Sequence, residues 1–312
     1  MIIFLYGEDS YGIRQKMKEL IAGYRVKNPS GFNMASVDFS EDGTDRFFEA
    51  VKSESLIPEK KLIILKNIFK ADAGAVLDFL KKMELARSPE VYLIAEAAGN
   101  FSGKGELAGE KKKLFDYLTA KPNLREHFKL LNAYEVKNWA KKYANYLGIE
   151  MAGDALDYLV LSCGADRWRL DGELKKMANF KIKGVISRAQ AEELVIPSAN
   201  ANVFEITDAL ARKDKKRAAA ALHRAIENGE SPIEILGLLA WQIRNLLKYK
   251  TSARPADLKL HPFVLGKLKE AAGFFTEAEL AASLSKIMSL DLELKTGNVN
   301  EKAALALIIA EM

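Results

Sequence analysis

Short apolar runs alternate with amphipathic stretches over the first 131 residues, and beyond that point the strand-type runs stop. The runs are "MIIFLY" (1–6), "ASVDF" (35–39), "KLIIL" (61–65), "VYLIA" (91–95) and "HFKLL" (127–131), each rich in β-branched or aromatic residues. Between them, apolar residues recur at helical spacing. Ile13, Met17, Leu20, Ile21 and Tyr24 form one stripe, Val76, Leu80 and Met83 a second, and Leu114 and Leu118 a shorter third. Strands alternating with helices predict an α/β domain built on a parallel five-stranded sheet with helices on both faces. The Gly-rich, polar "AAGNFSGKGE" (97–106) predicts a loop.

From residue 132 the pattern is helical throughout. "EVKNWAKKYANYLGI" places Trp139, Tyr143 and Tyr146/Leu147 at helical spacing, and "GDALDYLVLSCGADRWRLDGELKKMANF" predicts two helices broken near Gly164. Ser187 with Gln190, and Thr276 with Glu279, have the spacing of capping boxes. Ser231-Pro232-Ile233-Glu234 joins an N-cap residue, a proline at the first helical position and a glutamate three residues after the cap. The helix that follows, "IEILGLLAWQIRNLLKYK", is apolar nearly all round at its start, which predicts a central, buried position. "IPSANAN" (196–202) is polar, contains Pro197, and predicts a linker. The expected organisation is an α/β domain (1–131), a small all-α domain (132–197) and a larger all-α domain (198–312).

Composition narrows the chemistry more than the fold. A chain of 312 residues exceeds the size at which one core stops growing, about 250 residues, so two or three domains are expected. A net charge of +5 permits contact with nucleic acid without requiring it. Cys163 is the single cysteine, which excludes an intramolecular disulfide and suits a reducing compartment. The first residues carry no basic leader, and no apolar run approaches the ~20 residues needed to span a bilayer. A cytoplasmic protein with no membrane partner is the expectation. His127, His223 and His261 are far apart and lack partners at ligand spacing, so no metal site is expected. Cys163 lies in the apolar "YLVLSCG" and is expected to be a buried structural thiol. No pair of carboxylates stands out, and no catalytic residue or cofactor is assigned.

One motif carries chemistry by its defects. "IIFLYGEDSYGIRQK" (2–16) runs from a strand through Gly7, four residues and Gly12 into a helix, which is the layout of a phosphate loop. In a working loop the backbone N–H groups hold the phosphates, a lysine after the second glycine neutralises them, and the next hydroxyl binds Mg²⁺. Here those two places hold Ile13 and Arg14. Ile13 neither neutralises charge nor donates a hydrogen bond, and it falls in phase with the apolar stripe of its helix. Arg14 cannot bind Mg²⁺, though it could approach a phosphate. The acidic half of such a site would follow an inner strand, yet "KKLIILKN" ends in Lys66-Asn67.

The ordered set of segments resembles the delta-subunit family of bacterial DNA polymerase III clamp loaders. "FLYGEDSYGIRQ" is similar to the family's opening strand, loop and helix, and "SLIPEKKLIILKN" to its Ser-Leu-Phe, spacer, basic pair and apolar strand. "GADRWRLDGELKKM", "NVFEITDALARKDKKRAAAAL" with "NGESPIEILGLLAWQIRNLL", and "DLELKTG" follow in the family's order over nearly the whole chain. The resemblance implies an AAA+-like N-terminal domain, a small helical lid and a helical collar that assembles with other clamp-loader subunits. It implies a subunit of the polymerase holoenzyme that opens the sliding clamp (beta) while sibling subunits hydrolyse ATP. "LSCGADR" lacks the Ser-Arg-Cys of subunits that donate an arginine finger, in keeping with that role.

In the family a Leu-Phe pair wedges into a pocket of the clamp, and by position that pair is Leu56-Ile57. Isoleucine is the smaller anchor, a loss of contact worth about 1 kcal/mol. The other reading of these residues is structural: both cover the core before the strand, and Pro58 ends the turn. The basic "RKDKKR" (212–217) and "KYKTSARPADLKLHP" (248–262) suit contact with primer-template DNA inside an assembled complex, although such runs are commonly solvated faces. Two other functions stay open at this level: an active AAA+-type ATPase using Arg14 in place of the lysine, and a stand-alone DNA-binding protein.

Overall fold

The computed structural model describes residues 1–54, 58–101, 107–180, 184–258, 260–296 and 305–309. The chain divides into two compact units, Met1–Leu130 and Leu131–Met312.

The first unit is an α/β layer structure. Strands β1 (Ile2–Gly7), β2 (Met34–Asp38), β3 (Lys61–Lys66), β4 (Val91–Ala98) and β5 (Leu124–Phe128) form one parallel sheet in the order β2-β3-β4-β1-β5. Helices α1 (Ser10–Lys27), α2 (Thr44–Lys52), α3 (Ala73–Lys82) and α4 (Gly109–Thr119) cover it. The unbroken apolar run of β3 follows from burial on both faces. Ile63 and Leu65 pack with Phe47 of α2, Val76 and Leu80 of α3 and Leu114 of α4, whereas Leu62 and Ile64 pack with Ile13, Met17 and Tyr24 of α1. The sheet is therefore covered by three helices on one face and by α1 on the other.

The strand predicted over 127–131 lies three residues earlier, at Leu124–Phe128, and four of its five residues are exposed. The apolar signal misplaced it because Leu131 belongs to the core of the second unit. What holds β5 is its pairing with β1, reinforced by His127 stacked on Tyr6 at 4.8 Å between ring centroids.

The second unit is helical around two hydrophobic clusters. The first gathers α5 (Ala133–Tyr146), α6 (Gly153–Cys163), α7 (Arg167–Asn179) and α8 (Arg188–Leu194). A two-residue parallel pair, β6 (Glu150–Met151) with β7 (Val185–Ile186), closes this part, which the absence of strand-type runs did not predict. The second cluster gathers α9 (Ala199–Ala211), α10 (Lys215–Glu227), α11 (Pro232–Thr251), α12 (Pro262–Ala272) and α13 (Glu277–Lys295). Phe263 of α12 packs into the first cluster, so the two share a wall.

Both predicted capping boxes form, and Asn132 with Glu135 makes a third at the start of α5. Helix α11 begins at Pro232 and is central, as its apolar circumference requires, with Ile235, Leu236, Leu239, Ile243 and Leu246 buried. Ser231 makes no side-chain cap bond, however. The expected linker at 196–202 is instead largely the first turn of α9. Ser198 caps it by accepting from the Ala201 N–H at 3.2 Å, and buried Asn202 donates to Glu230 at 2.7 Å. Ala-Asn-Ala after a serine is a good helix start, and the polar count concealed it. Cys163 is buried, and desolvation pushes its thiol up to about 12, so it stays protonated at neutral pH.

Gly7 sits in a tight seam between β1 and β5. Its φ is +135°, and an added Cβ would lie 2.2 Å from the Phe128 carbonyl oxygen. No side chain fits there without separating β1 from β5. Gly7→Ala is expected to destabilise the protein by about 2 kcal/mol or more, read as a lowered denaturation midpoint. An unchanged midpoint would mean that the seam is looser than this geometry.

Candidate functional site

In open α/β sheets, ligands bind at the carboxyl ends of the strands, and the phosphate-loop segment lies at that rim. Helix α1 begins at Ser10, so Gly12 is inside its first turn. Asp9 is the N-cap: it is 7% exposed, and its Oδ1 accepts the Gly12 N–H at 3.0 Å. Three further amides of the segment are also engaged. The Asp9 N–H donates to the Phe128 carbonyl at 3.1 Å, the Ser10 N–H to the Glu8 carbonyl at 3.1 Å and the Ile13 N–H to the Asp9 carbonyl at 3.1 Å. A phosphate loop works by presenting free N–H groups to an anion. Here a carboxylate of the chain itself occupies that helix N-terminus, with Gly7 clamped against β5 beneath it.

The four loop residues singled out by sequence separate into distinct roles. Gly7 makes the turn out of β1, and Gly12 lies in the first turn of α1 with its N–H given to Asp9. Ile13 is 3% exposed and packs with Leu5, Met17, Tyr24, Leu62, Ile64 and Ile94. Arg14 is exposed and points its charge toward the rim, where it favours the ionised form of Glu96. Leu56 and Ile57 lie outside the described residues. The chain on either side of them is fixed: the Lys61 ammonium donates to the Ala50 and Val51 carbonyls at 3.2 and 3.0 Å and to Ser53 Oγ at 3.1 Å. Beyond Pro58, Asn33 donates to the Glu59 carbonyl at 2.8 Å.

A second polar group at the same rim is not evident from motif reading. Asn67, directly after β3, has φ +54° and joins two neighbouring strands. Its side-chain amide donates to Asp38 of β2 at 2.8 Å, and its backbone N–H donates to Glu96 of β4 at 3.1 Å. The Asn67 hydrogen bond holds the Asp38 carboxyl below its ordinary value, with the Ser40 N–H assisting. Burial, with the Asp38 charge adding to it, pushes Glu96 up against the opposing pull of the Asn67 N–H, Lys66 and Arg14. The sequence signal for Glu96 is a lone acid inside the apolar strand "VYLIAEAA"; for Asp9 it is an acid three residues before a glycine at a helix start.

Among the described residues no group of three or more His, Cys, Asp or Glu could hold a metal ion, and no helix is long and apolar enough to cross a membrane. The histidines have local roles. His223 pairs with Glu227 at 3.1 Å, and His261 caps α12 by accepting the Phe263 N–H at 3.1 Å.

Two family models match this chain. "DNA polymerase III, delta subunit" covers residues 4–126, and "DNA polymerase III delta subunit, C-terminal domain" covers residues 200–312. The chain belongs to the DNA polymerase III delta subunit family. It is 23% identical to DNA polymerase III subunit delta of Bacillus subtilis over 99% of this chain and 91% of that one. It is 24% identical to a probable DNA polymerase III subunit delta of Aquifex aeolicus, over 77% of this chain and 67% of that one. The solved structure of a Bacillus subtilis DNA clamp loader delta protein matches with a TM-score of 0.69 at 22% identity, covering 99% of this chain and 94% of that one. This delta-family chain shares the fold of that structure, a parallel five-stranded α/β sheet followed by helices.

The raised Glu96 carboxyl gives the delta-family rim a pH signature. In the fold it retains its proton at a pH where the unfolded chain has already released it. Its contribution to stability is therefore present at low pH and is lost as pH rises through the raised folded value. Glu96→Gln keeps an oxygen acceptor for the Asn67 N–H and removes the charge. The stability of the variant relative to wild type is expected to improve as pH rises from 4.5 to 7.5 in denaturant titrations. A difference that stays constant across the range would contradict the assignment.

Proposed function

We propose that this chain engages and opens the sliding clamp (beta) without hydrolysing ATP itself, as one subunit of a larger loader. The observation that carries the reading is the closed loop: Asp9 takes the Gly12 amide, and Ile13 is core where a phosphate-binding lysine would stand. A phosphate entering here would displace the cap and settle beside a buried carboxylate. Two like charges 4 Å apart at an effective dielectric near 20 repel by about 4 kcal/mol, and no lysine offsets that. Neither nucleotide nor metal is needed for the chain's own part of the work, so it has no catalytic residues and no cofactor.

In this reading Leu56 and Ile57 are the clamp-contacting pair, residues 132–197 are the lid and residues 198–312 the collar that joins the other subunits. Primer-template DNA is met inside the assembled complex. The described residues beside the pair are hydrogen-bonded on both sides, which suits a short recognition segment held on fixed stems. The Bacillus subtilis relative carries the description "DNA clamp loader delta protein", which supports the same role.

Leu56→Ala with Ile57→Ala is expected to weaken binding to the cognate clamp by at least tenfold in a titration, with an unchanged circular-dichroism spectrum and melting midpoint. Unchanged affinity would remove the pair from the site. Equilibrium binding of labelled ATP to the wild-type chain separates this role from an active ATPase using Arg14. No saturable Mg²⁺-dependent binding is expected at concentrations up to about 1 mM, the top of the usual KM range. Saturable binding below that concentration would overturn the reading.

A further inference from the structure

Helix α5 carries a continuous stack of flat groups that ends in solvent. The Arg167 guanidinium, from the start of α7, lies over the Trp139 ring at 4.6 Å. Trp139 stacks on Tyr143 at 5.2 Å with the planes 14° apart, and Tyr143 stacks on Tyr146 at 6.0 Å with the planes 16° apart. Trp139 and Tyr143 also pack against the core of this part of the chain. Tyr146 does not: it is 82% exposed. The stack therefore starts on a cation and a core-packed indole and ends on a phenol ring that folding leaves uncovered.

The charge around the stack is cationic. Helices α5 and α7 together carry seven lysines and arginines against three acids. Lys142 stands one turn before Tyr146 on the same helix. Lys175 of α7 reaches Asp171 at 2.8 Å and also the Tyr143 hydroxyl. Lys175 and Lys176 line a shallow depression with exposed Phe180. Stacked rings flanked by ammonium groups match single-stranded nucleic acid: every base has a face to stack, and the phosphates between bases meet the cations. A protein partner of opposite charge would need a ring or guanidinium to extend the stack but would not need the regular spacing of bases. The observations favour the nucleic acid.

We propose that Tyr146 is a stacking platform for a base of single-stranded DNA, with Lys142 and Lys175 beside the flanking phosphates. This rests on the reading that the chain meets DNA in its loader role and adds a surface to it. Because Tyr146 is so exposed, its replacement leaves the fold intact.

The test is the fluorescence anisotropy of a labelled twenty-nucleotide oligo(dT) titrated with the full chain at 50 mM salt. Tyr146→Ala is expected to weaken binding about tenfold, a typical loss for removing one base-stacking ring, whereas Tyr146→Phe, which keeps the ring, binds as wild type does. Tyr134→Ala, at another exposed tyrosine of α5, is the control and should change nothing. Equal binding by wild type and Tyr146→Ala, or no binding by wild type up to 50 μM, would overturn the proposal, as would an equal loss in Tyr134→Ala. Clamp affinity measured on Tyr146→Ala should match wild type, so failure of the stacking site is distinguishable from failure of the clamp-binding role.

Discussion

The N-terminal unit is organised around one hydrogen bond, the Gly12 N–H given to the Asp9 carboxylate. It fixes where α1 starts, and that start sets the phase of the helix. With the first turn at Ser10, the positions facing the sheet include Ile13, Met17 and Tyr24, which cover that side of the sheet. A helix beginning after Gly12, as in a working phosphate loop, would leave Asp9 to Gly12 as an open cradle of N–H groups. An N-cap carboxylate is worth about 1 kcal/mol, a modest sum beside the core. Its larger consequence is electrostatic, since the positive end of the helix is already neutralised from within.

The rest of the rim follows the same logic of internal satisfaction. Asn67 adopts a left-handed backbone conformation, tolerated better by asparagine than by most residues. From there one residue bonds to both neighbouring strands, to Asp38 through its side chain and to Glu96 through its backbone. Asp38 takes both the Asn67 amide and the Ser40 N–H on its Oδ1. The ends of β2, β3 and β4 are thus tied to one another.

Much of this was legible in the chain. The β-branched runs and the helical stripe from Ile13 to Tyr24 specify a parallel sheet with covered faces, and the phase of Ile13 correctly marks it as core. Ser187–Gln190 and Thr276–Glu279 declare their helix starts through side chains that satisfy local N–H groups. The failures also have physical causes. Leu131 was assigned to a strand because its apolar character does not reveal which core it enters. The start of α9 was hidden because Asn202 is a polar residue buried by virtue of one partner, Glu230, 28 positions away. Asp9 and Glu96 were missed for the same reason. Their roles lie in what they accept hydrogen bonds from and in how little water reaches them, and neither is a property of residue type or spacing.

The aromatic stripe of α5 shows where pattern reading and burial part company. At the level of sequence, Trp139, Tyr143 and Tyr146 are equivalent, three rings on one helical face. In the fold the first two lie against the core and the third does not. A hydrophobic stripe earns its place by area removed from water, at roughly 25 cal/mol per Å², and Tyr146 returns almost none of it. Single exposed apolar residues need no explanation. An exposed ring held parallel to a half-buried stack is a different case, because its orientation is fixed by neighbours that pack against the core. Pre-set orientation lowers the entropic cost of binding a flat ligand. Folding alone accounts for Trp139 and Tyr143; it leaves the last ring of the series to be accounted for by something outside the chain.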